Sequence, residues 1–231
     1  MLLAGCARPP IRPAIPSAPP PLSRPSYEKT FGEARFGGVA TLLISYKDIR
    51  ILIDPLFFPP GPVGPYEQKL QGMAAPGMAS RMNAPAVAVS SLPPIDYLLL
   101  TDTQPHHFGT AARAAISKDI KAIAPPEDAE RLRLAGFTGS KGLEPGRRLL
   151  LQKNGAYLFV SAIQTRNSVS GEQVNFYLLE FDNGKNVIIT GETIDEDAVR
   201  RLVYELRDDG KEIALAFVYG GGLRATDGKL E

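Results

Sequence analysis

Polar residues that could carry chemistry are concentrated at three places in the sequence, namely 101–109, 164–168 and 191–195. The first place holds Asp102, Gln104, His106 and His107, and the chain has no histidine besides these two. Imidazole and carboxylate groups are the usual ligands of catalytic zinc and the usual general acids and bases. The segment 101–109 is therefore the first candidate for a metal-binding or catalytic loop.

Short apolar segments precede these places and predict strands that end there. Strand patterns cover 39–46, 49–54, 95–101, 120–124, 174–181, 187–190 and 213–219, and two further strands flank an Asn154-Gly155 turn within 149–163. Helical patterns cover 110–118, 127–135 and 195–207, whereas 59–94 has no sustained period. Periodicity alone thus predicts a mixed α and β protein in which strand ends bring polar side chains to one edge of a sheet.

The composition is that of a globular protein. The 231 residues are 44% hydrophobic and 22% charged, enough for one large domain or two small ones. With 26 basic and 25 acidic residues the net charge is +1, which gives no electrostatic reason to expect a nucleic-acid partner. One cysteine cannot form an intrachain disulfide, and no window approaches the ~20 apolar residues of a membrane span.

The N-terminal segment predicts a tether that follows a lipid attachment site. Eight prolines lie between Pro9 and Pro25, a pattern typical of an extended, polyproline-like chain. Ahead of them, the sequence Leu-Ala-Gly-Cys, which ends at Cys6, resembles the lipobox of bacterial lipoproteins. The alternative is a chance apolar terminus with a free thiol. The resemblance implies an acylated Cys6 and an extracytoplasmic, lipid-anchored location in the bacterial cell envelope. Ala7 stands where an aspartate is associated with retention in the inner membrane, so the outer membrane is favoured. Only five residues precede Cys6, which is too few for a secretory signal, so we expect the natural start of the chain further upstream.

The order of motifs resembles the metallo-β-lactamase fold superfamily, in its branch of stand-alone hydrolases. The motifs that carry the resemblance are Ile-Leu-Ile-Asp-Pro at 51–55, Ile-Asp-Tyr-Leu-Leu-Leu at 95–100, Gly-Glu-Thr at 191–193 and three glycines at 220–222. The resemblance implies an α/β (α+β) fold, a four-layer αββα sandwich with two mixed β-sheets. We expect residues 1–28 to form the lipobox remnant and Pro-rich tether, and residues 29–231 to form the metallo-β-lactamase-like domain.

The resemblance also marks the residues that stand where the superfamily carries its metal ligands. Of the His-x-His-x-Asp-His motif, only the last histidine is kept, and the later histidine and the bridging aspartate are also replaced. In order along the chain these positions are Asp102, Gln104, His106, His107, Asn167 and Glu192. Asp54 corresponds to an aspartate that braces the loop beneath the site. Because an amide oxygen is a weak zinc ligand, a canonical two-zinc site is not expected.

Two functions are compatible with this altered motif. The first is a non-canonical or inactive hydrolase homologue, anchored to the membrane through Cys6, that has a binding or structural role. The second is a hydrolase of an ester, amide, lactone or phosphodiester that uses one divalent ion, zinc or manganese. Its ligands would be Asp102, His106, His107 and Glu192. The partner is a small-molecule substrate or an envelope protein, which the sequence does not distinguish.

Overall fold

The computed structural model describes residues 32–38, 40–57, 61–62, 80–81, 89–104, 107–166, 173–191 and 196–218. The strands are β1 (Glu33–Gly38), β2 (Thr41–Tyr46), β3 (Ile49–Ile53), β4 (Gly61–Pro62), β5 (Ser80–Arg81), β6 (Tyr97–Leu99), β7 (Lys121–Ala124), β8 (Lys141–Gly142), β9 (Arg148–Lys153), β10 (Ala156–Arg166), β11 (Gln173–Phe181), β12 (Lys185–Ile189) and β13 (Glu212–Phe217). The α-helices are α1 (Thr110–Ala115), α2 (Pro126–Leu134) and α3 (Glu196–Asp208).

Two mixed β-sheets form the centre of the fold. The first has the strand order β1-β2-β3-β6-β7-β8, in which β1, β2 and β3 are antiparallel neighbours and β3, β6, β7 and β8 are parallel. The second has the order β13-β12-β11-β10-β9 and is antiparallel except for the β12–β13 pair. A separate two-stranded ladder joins β4 and β5. The parallel strands β6 and β7 place their carboxyl ends at the same sheet edge, which is where the predicted site lies.

Three apolar clusters show that the elements form four layers. The inner faces of the two sheets pack on each other, as Leu99 and Tyr177 illustrate. Helices α1 and α2 cover the outer face of the first sheet, and helix α3 covers the second sheet through Ala198, Leu202 and Leu206. Burying such faces on both sides of each sheet is the main stabilising term of a sandwich. The predicted αββα sandwich with two mixed sheets is confirmed.

Several local signals act as the sequence predicts. Asn154 and Gly155 both have positive φ, 49° and 81°, as a two-residue turn between β9 and β10 requires. Pro126 begins α2 one residue before the predicted start, at a position where its missing N–H costs no helical hydrogen bond. These turns and starts are local in sequence, so the pattern of residues is sufficient to predict them.

Other elements differ from the sequence-based prediction. Strand β1 was not predicted as a separate strand, because Glu-Ala-Arg-Phe-Gly-Gly has no apolar alternation and only its pairing with β2 makes it a strand. Helix α1 ends at Ala115 and not near residue 118, because Ile116 adopts an extended backbone. The predicted excursion over 59–94 contains β4, β5 and a short 3-10 turn at Val89–Ser91, and the rest of it lies outside the described residues.

The predicted lipidation site Cys6 and the boundary between residues 28 and 29 lie outside the described part of the chain. Among the helices of the described ranges, none has the length and apolar character that crossing a membrane requires.

Candidate functional site

Asp54 lies directly after β3 and binds the end of the neighbouring strand β6. Its backbone has φ 41°, a left-handed conformation that aspartate tolerates better than most residues, and its N–H donates to the carbonyl of Leu99. Its carboxylate accepts the Thr101 N–H at 2.8 Å and the Thr101 hydroxyl at 2.6 Å. Asp54 is 2% exposed, so these charge-assisted bonds hold two strand ends together away from water.

His107 is fully buried, and each of its ring nitrogens faces a carboxylate. Nδ1 lies 3.1 Å from Asp54 Oδ2 and 3.3 Å from the Thr101 hydroxyl, while Nε2 lies 3.5 Å from Asp102 Oδ2. The other Asp102 oxygen accepts the N–H of Gln104 at 2.8 Å, which fixes the carboxylate. The Nδ1 contact with Asp54 is a hydrogen bond and the 3.5 Å contact of Nε2 with Asp102 is not, so the neutral ring that donates to Asp54 has its proton on Nδ1. The result is a buried Asp54–His107–Asp102 chain.

An arginine from helix α1 holds the loop that carries His107. Arg113 donates to the carbonyls of Thr103 and Phe108, at 2.6 Å and 2.9 Å. The Thr103 hydroxyl donates in turn to Asp128 in the first turn of α2, and Asp128 also accepts a hydrogen bond from Arg131 at 2.9 Å. The loop is therefore attached to both helices that cover the first sheet.

A cavity of about 130 Å³ opens beside Asp102. Gln104, Asp128, Arg131 and Val174 contribute to its lining, so one guanidinium stands among several oxygen acceptors. A space of this size accommodates only a small group or a few water molecules. The cavity can therefore hold a compact polar ligand next to the outer end of the buried chain.

The floor of the site is formed by the beginning of β11 and by the residues that follow β12. The backbone N–H of Asn175 donates to the Thr101 carbonyl at 3.2 Å, and the Tyr177 hydroxyl donates to the Leu100 carbonyl at 2.7 Å. Burial raises the pKa of Tyr177 well above 10, so the hydroxyl stays a neutral donor. A Cβ added to Gly191 would lie 3.3 Å from the Thr101 Cβ, so glycine permits the close approach of β12.

The structure brings together four of the predicted site residues, which are Asp54, Asp102, Gln104 and His107. The remaining predicted site residues, His106, Asn167 and Glu192, lie outside the described residues. Within the described ranges, no group of three or more His, Cys, Asp or Glu side chains is arranged to hold a metal ion.

Sequence reasoning missed Thr101, Thr103, Arg113 and Asp128. Thr101 belongs both to the predicted strand 95–101 and to the predicted polar segment 101–109, but its residue type alone does not mark it as a site residue. Arg113 is the single long polar side chain in an Ala-rich helix, which is a weak signal that it contacts a neighbouring loop. Asp128 gave no signal, because acids are common in the first turn of any helix.

Comparisons with known proteins support the architecture. No protein-family model matches the chain, and no curated protein matches it. Among solved structures, the isothiocyanate hydrolase from Delia radicum gut bacteria matches with a TM-score of 0.63 and 22% identity, over 84% of this chain and 73% of that chain. A possible metal-dependent hydrolase from Veillonella parvula DSM 2008 matches with a TM-score of 0.57 and 18% identity, over 77% of this chain and 68% of that chain. The chain has a metallo-hydrolase-like sandwich fold. At such identities the likeness establishes the fold and no activity.

The described residues fit part of a metal site in such a fold. Imidazole and carboxylate are accepted zinc ligands, and a carboxylate on the second ring nitrogen, as Asp54 supplies for His107, commonly orients a ligating histidine. When an imidazole nitrogen and a carboxylate oxygen bind one tetrahedral zinc ion with bonds of about 2.0–2.2 Å, these two donor atoms lie roughly 3.4 Å apart. The 3.5 Å between His107 Nε2 and Asp102 Oδ2 is close to this value. These two residues therefore fit as a pair of ligands, and a third donor is not among the described residues.

Proposed function

We propose that this protein is a binding or structural module of the bacterial cell envelope, built on a metallo-hydrolase-like fold in which the metal site is largely replaced. The observation that carries the proposal is the buried His107, whose two ring nitrogens both face carboxylates, Asp54 and Asp102. Such a chain braces the strand ends of the first sheet without any metal. Its stability comes from the charge-assisted hydrogen bonds that Asp54 accepts from Thr101 and His107 away from water.

The residue types at the superfamily's ligand positions favour this proposal. Gln104 stands where a histidine is usual, and Asn167 stands where a later histidine is usual. Neutral amide oxygens bind zinc weakly, so replacing two imidazoles removes much of the affinity of a two-zinc site. The cavity beside Asp102 then binds a compact polar group. Arg131 contacts an anionic part of that group, and Asp128 accepts a hydrogen bond from a donor on it.

A second candidate function is a hydrolase that uses one divalent ion. The 3.5 Å contact between His107 Nε2 and Asp102 Oδ2 favours it, because that spacing is close to the edge of a tetrahedral site. The holding residues would be Asp102 and His107 together with His106 and Glu192. A bound zinc or manganese would lower the pKa of a water molecule and polarise an ester, amide, lactone or phosphodiester. In this scheme Asp54 keeps the proton of His107 on Nδ1 and so leaves Nε2 for the ion.

Metal content distinguishes the two candidates. Elemental analysis is made on the full chain, purified without a polyhistidine tag and dialysed against zinc and then manganese. The binding-module proposal predicts no stoichiometric ion in a chain that still unfolds cooperatively. One ion per chain that is lost in His106→Ala and Asp102→Asn, and is kept in the exposed control Asp48→Asn, would replace the proposal with the hydrolase. A substrate screen that includes isothiocyanates would then follow.

The proposed envelope location is tested separately at Cys6. Mass spectrometry of the N-terminal peptide, from protein purified out of the bacterium that makes it, reads the modification directly. We expect a peptide that begins at Cys6 and carries acyl chains, and we expect Cys6→Ser to lose both the acylation and the association with membranes. An unmodified thiol in the native protein would contradict the lipid anchor. Since the chain has one cysteine, no other thiol can account for the label.

A further inference from the structure

A second cavity lies at the opposite end of the same strands from the candidate site. Its lining includes Tyr97 and Lys121, the first residues of β6 and β7, whereas Thr101 and Asp102 follow the other end of β6. At about 3.3 Å per residue, roughly 13 Å separates Tyr97 from Thr101 along the chain. We call this space the basal cavity. Its volume of about 600 Å³ is in the range of pockets that bind small molecules.

One wall of the basal cavity is apolar. It is formed by Leu92, Ile95, Ile116 and Ile120, which are each half-buried and pack on the core between the first sheet and its helices. Branched aliphatic side chains that keep part of their surface exposed leave apolar area that a ligand can cover. Each Å² so covered contributes about 25 cal/mol. The wall therefore favours a ligand with a hydrocarbon part.

The rim of the basal cavity is polar, and two of its four charged residues form an ion pair. Lys153 donates to Asp96 at 2.7 Å, and the other Asp96 oxygen accepts the N–H of Arg50 at 2.8 Å. Asp119 accepts a hydrogen bond from the Ser117 hydroxyl. The Asp96–Lys153 pair is therefore neutral as a unit, whereas Asp119 keeps its charge but already accepts a hydrogen bond from a neutral donor.

Lys121 is the cation of this rim that has no carboxylate partner among the described residues. Its ammonium lies 5.4 Å from the centre of the Tyr97 ring, and it forms no ion pair with a carboxylate of the described residues. Tyr97 is itself fixed, since its hydroxyl donates to the Gln152 carbonyl at 3.1 Å. A cation that is held over an aromatic ring at the mouth of an apolar cavity is placed to receive an anion.

We infer that the basal cavity binds an amphipathic monocarboxylate, with the hydrocarbon chain on the apolar wall and the carboxylate at Lys121. The ligand class follows from two features of the cavity, its apolar wall and a lysine that has no ion pair within the described part of the chain. This binding is independent of the metal question, because no lining residue of the basal cavity belongs to the candidate site.

Isothermal titration calorimetry of the full chain with decanoate tests the inference. We expect saturable binding that Lys121→Gln weakens about tenfold, which corresponds to the loss of one charge-assisted bond. Lys141→Gln removes an exposed lysine of β8 outside the cavity and is the matched control, for which unchanged affinity is expected. Decyltrimethylammonium has a hydrocarbon chain of similar length and the opposite charge, and we expect it to bind at least tenfold more weakly than decanoate.

A second variant tests the location of the ligand. Ala115 is exposed on the lining of the basal cavity, so Ala115→Phe adds bulk there without disturbing the core, and we expect it to abolish decanoate binding. Thermal unfolding confirms that each variant is folded. The inference is overturned if decanoate does not bind the wild-type chain, if Lys121→Gln binds as well as Lys141→Gln, or if Ala115→Phe binds normally.

Discussion

Replacing Asp54 by asparagine removes the charge from one end of the buried Asp54–His107–Asp102 chain and leaves the shape of the side chain. Asparagine is one of the few residues that accept the left-handed backbone at this position, where φ is 41°, so the backbone cost is small. The amide oxygen can still accept the Thr101 N–H. Its NH₂ group would replace the oxygen that now accepts the Thr101 hydroxyl at 2.6 Å and lies 3.1 Å from His107 Nδ1.

The expected loss follows from these two contacts. A hydrogen bond to a charged group contributes about 1.5–3 kcal/mol, and a buried donor left without an acceptor costs about 1–3 kcal/mol. Because the Thr101 hydroxyl can rotate and His107 can change its tautomer, part of the loss is recovered. We therefore expect Asp54→Asn to lower the free energy of unfolding by about 2–4 kcal/mol.

Urea denaturation of the full chain measures this change. Asp48→Asn is the control, since Asp48 is exposed in the β2–β3 turn and its removal should change the free energy of unfolding by less than about 0.5 kcal/mol. The reasoning is refuted if Asp54→Asn is as stable as Asp48→Asn. In that case the carboxylate of Asp54 would not be what joins β3 to the end of β6.

Three further predictions concern the supports of the site and the sandwich. Burial alone would raise the pKa of Asp182, but hydrogen bonds from Lys47 and Tyr46 outweigh it and lower that pKa below its usual value. Since the folded pKa is depressed, the stabilisation is present above the ordinary pKa of about 4 and is lost as the pH falls through the folded value. Asp182→Asn should thus destabilise the protein at pH 7 and have little effect near pH 2, as urea denaturation at the two pH values will show. Arg113→Met should cost about 1–3 kcal/mol and raise amide hydrogen exchange in the loop before α1, because two carbonyls lose a cationic donor; unchanged exchange would contradict this. Gly191→Ala should cost about 1–3 kcal/mol by crowding the threonine that follows β6, and a thermal melt like that of the wild type would show that β12 can move away.

The sequence was sufficient to predict the elements whose signals are local, and insufficient for contacts between distant elements. Local sequence is enough to predict the apolar strands β3, β6 and β12 and the Asn154-Gly155 turn, because each pattern fits one backbone conformation. Strand β1 has no such pattern and depends on its partner. Asp54 and His107 were identified by the resemblance, but their contact needs β3 and β6 to be neighbours. The bond between Thr103 and Asp128 depends on how α2 packs on the sheet, which no spacing in the sequence records.

The environment of His107 tests the central claim most directly. The chain has two histidines, so a long-range ¹H–¹⁵N spectrum of the imidazoles contains two ring systems, and His106→Gln assigns them. The account predicts that the His107 signals show a proton on Nδ1 and do not change when zinc or manganese is added to the full chain. A shift of the Nε2 signal that saturates at one equivalent of metal would contradict it, and would show that His107 still serves a metal site.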